Sequence, residues 1–487
     1  MPWPRGVVAE RFDLVLRGGE VVTPDGVVRQ EIGIRAMKIA AIGEGLAARE
    51  YLDTSGRVVV PGGIESHCHI EQESSLGGVM TADDFCVATE AAAFGGNTTV
   101  IPFAIQRRGK SLADAVERYR ALAEVKAHID YTFHLAVTDP TDCLLRCELP
   151  DLIRSGYRSV KLYMAYDAMI VDDRQMLEVM DVARGAGALV IVHAENWGMI
   201  QWETARLVGA GKTDPRFHPA SHPVASEVEA IQRVAGLAKL VGVPVLVLHI
   251  SSGEGIEAVL AAQRGGAPIY AETCTQYLYL TAAEMDTPGP EAAKLCCSPP
   301  LRDVAAQEAL WRSLADGTVD VVSSDHCPYR YDETGKLARR AVPAFTEVPN
   351  GLPGLEARLP LLFDGVSSGR ITLEDFVNLS STNAARLYGL YPHKGAIQVG
   401  ADADLAVWDP GRRVRIGTEM LHENAGYTPF EGREVVGWPV AVVSRGRVVV
   451  RDGQFDAEPG SGRLLLVGPP ELPQPGLGAA LAAGAAR

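Results

Sequence analysis

His67 and His69 stand two residues apart at the end of an apolar run, VVVPGGIESHCHI, residues 58–70. Side chains of an extended segment alternate faces, so i and i+2 point the same way. Two imidazoles presented side by side suit a borderline first-row metal, zinc above all. Matching partners stand at or near the ends of other apolar runs: Lys161 in SVKLYMAY, His193 in ALVIVHAEN, His249 in VPVLVLHIS and Asp325 in TVDVVSSDHC. Each alone has an ordinary reading. A lone histidine can be a hydrogen-bonded core residue, Asp325 can cap the next helix, and a buried lysine can pair with a carboxylate. Six such groups on the ends of predicted strands read as one site. Lys161 is the informative member, because burial disfavours its charged form and lowers its pKa. The neutral amine can add CO2 to give a carbamate, a carboxylate on a long stem able to bridge two cations. Four histidines, that carbamate and one aspartate suffice for two metal ions sharing a hydroxide, and two metals ~3.5–4 Å apart activate water and polarise a carbonyl together.

The elements that must position these groups are legible as eight continuously apolar runs, beginning with VVVPGGIESHCH, NTTVIPFA and IDYTFHLAV and ending with TVDVVSSDHC. Continuous apolarity marks parallel strands covered on both faces. Ala-rich helical stretches such as SLADAVERYRALAEVKAH lie between most of them. Eight strand–helix units predict an α/β fold, a closed (β/α)8 barrel over 61–394, whose active-site groups sit at the C-terminal ends of the strands. Residues 1–60 and 395–455 read instead as short strands with tight turns. The TPDG turn between alternating apolar residues is a hairpin signal. The two ends are expected to join as one small β-sandwich-like domain. The Pro-, Gly- and Ala-rich tail, 456–487, reads as flexible or as an oligomer arm.

Composition narrows the functional classes. Of 487 residues, 47% are hydrophobic and 22% charged, ordinary for a globular protein with a large core. The net charge of −15 is dispersed, with no basic stripe, which argues against a nucleic-acid partner. No apolar run approaches the roughly 20 residues of a membrane span, and MPWPRGVVAERFD lacks the apolar core of a secretory signal. Eight irregularly placed cysteines then predict reduced thiols and a cytoplasmic setting. Cys143 with Cys147, and Cys296 with Cys297, are expected to be ordinary buried thiols rather than metal ligands.

Dense motifs carry a family resemblance over residues 12–455: PGGIESHCHI, TADDF, AAAFGGNTTVIPF, GYRSVKLYMAY, VIVHAEN, LHISS, AETCTQYL, CSPPLR, SSDHCP and VPNGLPGLE. In these the chain resembles the D-hydantoinase/dihydropyrimidinase family of the metal-dependent amidohydrolases. The resemblance implies that His67, His69 and Asp325 hold one divalent metal, zinc with manganese or cobalt as alternatives. His193 and His249 would hold the other, bridged by N6-carboxylated Lys161. It also implies that Tyr166 hydrogen-bonds the substrate carbonyl and that backbone groups of Ser298 and Asn350 hold the cyclic amide. A homotetramer is implied too. The expected reaction is opening of neutral cyclic ureides, 5-substituted hydantoins and dihydropyrimidines, by a metal-bridging hydroxide. The Tyr166 hydroxyl would stabilise the oxyanion, and Asp325 would act as base and then acid. His326 is expected to support the ligands rather than to be one.

Other readings differ in the ring or in the presence of catalysis. A cyclic imide hydrolase or an allantoinase-like enzyme would use the same six groups. A dihydroorotase-like chain would carry an arginine just after His-x-His, where this one reads IEQESSLGGVM. Glu71 and Glu73 in that segment are expected to repel an anionic substrate. A non-catalytic scaffold relative would have lost ligand positions that are all filled here, and a mononuclear deaminase would lack Lys161.

Overall fold

The computed structural model describes residues 11–472. All eight apolar runs form strands of one parallel sheet, in the order of the chain: Gly63–Cys68, Asn97–Ile105, a third split into Asp130–Tyr131 and His134–Ala136, Ser159–Tyr163, Leu189–His193, Val245–Val247, Ile269–Cys274 and Val321–Ser323. Sequential parallel neighbours follow from right-handed crossover helices. The sheet closes where the first strand meets the segment after the eighth: Cys68 bridges His326, and the His69 amide donates to the His326 carbonyl at 2.7 Å. Buried Arg358 braces this seam, donating to the Val322 carbonyl at 2.8 Å and lying 2.9 Å from Glu65.

Alternation along the strands sorts the core into two layers. Ile64, Ile101, Phe103, Tyr163, Ile191, Leu246, Leu248 and Tyr270 pack together inside the barrel. Val160, Leu162, Val190, Val192, Val245 and Val247 face outward and join the larger cluster under the helices. Lys161 shares the inward parity of Tyr163, so strand geometry alone turns its stem into the barrel.

The chain ends share a sheet. Val58–Pro61, just before the first barrel strand, pairs antiparallel with Leu405–Arg415 on one side and parallel with Glu20–Thr23 on the other. A four-stranded sheet of Lys38–Gly43, Glu31–Arg35, Phe12–Arg17 and Ala48–Asp53 accompanies it. Leu14, Leu16, Ile32, Ile34, Val59, Leu405 and Val443 form a separate core between the two. Where this unit meets the barrel, the buried Lys394 ammonium lies 2.6 Å from Asp130 and 3.3 Å from Asp402 and also contacts Asp404. Those three carboxylates lie close enough together to suit a cation, and the lysine supplies it.

The tail, expected to be flexible or an oligomer arm, docks on the barrel over its described part. The Tyr131 amide donates to the Arg463 carbonyl at 3.0 Å, the Leu465 amide to the Tyr131 carbonyl at 2.7 Å and the Val467 amide to the Gly156 carbonyl at 3.1 Å. Leu465 and Val467 pack on the inner cluster, at the end of the barrel opposite the site. The apolar residues in LLLV explain the docking; residues 473–487 lie outside the described part. Cys143 and Cys147 also depart from expectation: both are exposed, on a helical turn whose apolar face is carried by Leu144 and Leu149. Cys296 and Cys297 are buried.

Candidate active site

The C-terminal ends of the strands surround a cavity of about 410 Å³ whose wall includes His67, His69, Lys161, Tyr166, His193, His249, Ser298, Asp325 and Asn350. All nine residues singled out from the sequence therefore lie around one space. Strand alternation explains Lys161 and His193, which continue the inward parity of Tyr163 and Ile191. It also gives Asp325 the inward parity of Val321, but it does not explain His67 or His249. A register shift between Glu65 and Cys68 re-aims the end of the first strand and brings His67 inward. His249 follows inward-facing Leu248 and would point outward in a regular strand. Its φ of +40° turns the chain, as +48° does at Asp325 and +71° at Tyr166. Left-handed backbone at three non-glycine residues costs energy and concentrates at functional sites.

The polar contacts form two clusters. In the first, Nε2 of His67 and Nε2 of His69 each lie 3.1 Å from Oδ1 of Asp325. His67 Nδ1 is 2.7 Å from Glu272, and His69 Nδ1 is 2.8 Å from the Gln72 amide oxygen. In the second, His193 Nδ1 lies 2.9 Å from His249 Nε2, and His193 Nε2 lies 3.0 Å from Glu195. Glu195 is fully buried and takes three partners, the other two being His222 at 2.9 Å and the Ser298 hydroxyl at 2.9 Å. Sequence reasoning missed Glu195 and Glu272. Glu195 lies two residues beyond a candidate ligand, a position where an orienting carboxylate could have been sought.

These contacts test whether metal ions fit. An ionised Glu272 can only accept, so it leaves the proton on Nδ1 of His67. The Gln72 oxygen does the same for His69. Both Nε2 atoms then converge on the same carboxylate oxygen of Asp325, each at 3.1 Å. A cation satisfies that arrangement, and His67, His69 and Asp325 form a donor group compact enough to hold one. In the second cluster Glu195 fixes the proton of His193 on Nε2, leaving Nδ1 as a donor atom beside His249.

Electrostatics agree with this reading. Burial holds His67 down at about 3 and lowers His193 and His249, so the imidazoles stay neutral and available. Burial pushes the Lys161 amine down to about 7 against the pull of Asp325 and Glu272. Much of it is then the free base near neutral pH, the form that adds CO2. Burial pushes Glu272 up to about 8, and a cation at His67 would favour its ionised form. Burial would raise Asp325, but His67 and His69 outweigh it and hold the carboxylate ionised. Desolvation pushes the Tyr166 hydroxyl well above its usual range, so it stays a donor, and it hydrogen-bonds Ser298 and Asn350. His326 is occupied elsewhere: Nε2 meets Asp83 at 3.1 Å, and Nδ1 accepts from the Gly354 and Leu355 amides, each at 3.2 Å.

The charge expected after the histidines is corrected. Glu71 and Glu73 do line the mouth, but Glu71 is paired with Lys126 at 2.7 Å and Glu73 with Arg107 at 2.9 Å. The cations come from other segments, so the local sequence could not reveal them.

A barrel of this topology with histidines, a lysine and an aspartate at its C-terminal mouth defines a class of hydrolase, and comparison with known proteins places the chain within it. The sequence profile of the amidohydrolase family matches residues 58–449. The D-hydantoinase of Ralstonia pickettii is 40% identical over 456 residues, spanning 93% of this chain and 98% of its own length. That of Geobacillus stearothermophilus is 41% identical over 454 residues, 92% and 95% of the two chains. The crystal structure of dihydropyrimidinase from Brevibacillus agri superposes with a TM-score of 0.91 at 38% identity, covering 94% of this chain and 99% of the other. The chain belongs to the amidohydrolase family, within its D-hydantoinase/dihydropyrimidinase group.

Proposed function

We propose that this chain hydrolyses the cyclic amide bond of cyclic ureides, hydantoins and dihydropyrimidines. The observation that carries the reading is the convergence of four imidazoles, Lys161 and Asp325 on one cavity also lined by a protonated tyrosine. Close similarity along nearly the whole chain to proteins named D-hydantoinase supports it. His67, His69 and Asp325 would hold one divalent cation, His193 and His249 a second, and Lys161, carboxylated on its amine, would bridge them; the nitrogen-rich donor set favours zinc, with manganese or cobalt as alternatives. Bound there, such ions supply an activated water and a polarised carbonyl.

The chain's own groups do the rest. Backbone groups at Ser298 and Asn350 hold the ring amide against the Tyr166 side. The Tyr166 hydroxyl donates to the carbonyl oxygen as that oxygen gains charge. Asp325 takes a proton from the attacking water onto its carboxylate and returns it to the ring nitrogen as the C–N bond breaks. The product is the open ureido acid, one water heavier than the ring. Glu195 and Glu272 keep His193 and His67 in the required tautomers. Assaying the metal-loaded protein on hydantoin and dihydrouracil tests this, and absence of ureido product from both would overturn it.

Assembly and location follow the same proposal. Four copies would cover exposed apolar residues of the helix Trp197–Gly209, including Trp202 and Val208; light scattering reads the mass. All eight cysteines are free, as in a reducing cytoplasm. Among the described residues, no helix is long and apolar enough to cross a membrane.

A further inference from the structure

The outer part of the cavity is more than a ring needs, and its wall changes character. Met80, Ile105 and Met169 give an apolar lining, while Arg107, Arg108 and Arg118 reach the same space from the loop after the second strand and the helix that follows. The carboxylates there are already neutralised. Glu71 is paired with Lys126 and also accepts from the Phe85 amide at 3.2 Å. Glu73 is paired with Arg107 and also accepts from the Gly78 amide at 2.9 Å.

The other two arginines have no such compensation. Arg108 donates to the Ala168 carbonyl at 3.1 Å and the Ile170 carbonyl at 2.6 Å, neutral acceptors in the loop after Tyr166. Among the described residues it makes no ion pair. Arg118 makes none either; its guanidinium lies 5.0 Å from the centre of the Tyr119 ring. Two unmatched guanidinium groups thus border the mouth of a chain whose net charge is −15. Long-range attraction to the protein as a whole does not favour anions, so the local field must do so. A guanidinium suits a carboxylate through its planar fork of donors, and the methionines beside it suit a short methylene stem.

We propose that the mouth selects cyclic ureides whose ring substituent ends in a carboxylate, the ring lying at the histidines and the arm reaching Arg108 and Arg118. This rests on the cyclic-ureide reading above and adds the class of substituent to it. The test is kcat/KM for 5-(2-carboxyethyl)hydantoin against 5-(2-carbamoylethyl)hydantoin, nearly equal in size and different in charge, with unsubstituted hydantoin and dihydrouracil alongside. At low ionic strength the acid should be favoured about tenfold, and the preference should shrink toward unity as salt shortens the Debye length. Arg118→Gln and Arg108→Gln should each lower the acid-to-amide ratio, chiefly through KM for the acid. Both arginines are exposed, so circular dichroism should show both variants folded. An amide opened as well as the acid at low salt would overturn the inference while leaving the cyclic-ureide reading intact. An acid preference unchanged in both variants would remove these arginines from it. If none of the four rings is opened, the functional reading itself fails and the inference falls with it.

Discussion

At the scale of single residues, the site turns on protonation states that burial imposes. Lys161 is pushed down to about 7 by burial, so it needs little free energy to become a nucleophile toward CO2. Lys161→Ala should leave fewer than two metal ions per chain and abolish turnover. Elemental analysis checks it, and retention of both ions with activity would refute the bridging role. Tyr166 is desolvated, protonated and held by Ser298 and Asn350. Tyr166→Phe should keep the metal and lose roughly 10²–10³ in kcat, the size of one oxyanion donor. An unchanged kcat on the best ring would remove the hydroxyl from the reaction. Both residues were legible in SVKLYMAY, since a lysine inside an apolar strand calls for a chemical reason. The buried carboxylates that orient the histidines were not. Glu272 meets His67 across 205 residues of sequence, and Glu195, although only two residues from His193, is held by His222 and Ser298 from other segments.

At the scale of elements, the eight strands were legible because each is apolar on both faces, as a covered parallel sheet demands. The directions of their terminal side chains were only partly so. Alternation accounts for Lys161, His193 and Asp325, whereas His67 depends on a register shift and His249 on left-handed backbone. Such departures arise from packing between segments distant in sequence, and a single strand's pattern does not encode them. The same limit misassigned the mouth's charge, since Arg107 and Lys126 come from other elements to meet Glu73 and Glu71. Glu195 is where elements are joined: it ties the fifth strand's His193 to the Ser298 loop and to His222. Glu195→Gln should weaken metal binding about 10–100-fold and also raise KM, because the Ser298 loop loses its anchor. A metal titration gives the first number and steady-state kinetics the second. A change confined to KM would mean that Glu195 serves the loop alone.

At the scale of the whole molecule, the barrel and the β-rich unit are fastened by a buried charge cluster. Lys394 reaches Asp130 at the start of the third barrel strand and Asp402 and Asp404 beyond the barrel, while Arg445 Nε lies 2.9 Å from Asp130. Lys394→Met strands buried carboxylates without their cation and should cost about 3–5 kcal/mol, read as a lowered denaturation midpoint with catalytic constants unchanged below it. A loss under 1 kcal/mol would show that Arg445 suffices. The shared sheet carries a further consequence, for synthesis. The strand Val58–Pro61 leads into the barrel, yet its partner Leu405 lies 344 residues downstream of Pro61. At about 5–20 residues per second a ribosome takes roughly 20–70 s to supply it. Throughout that interval the nascent chain carries an unpaired apolar edge, open to pairing with another nascent chain. Ribosome-bound chains arrested before residue 405 should therefore recruit chaperones and be cut by protease near residue 60, and chains released beyond residue 455 should not.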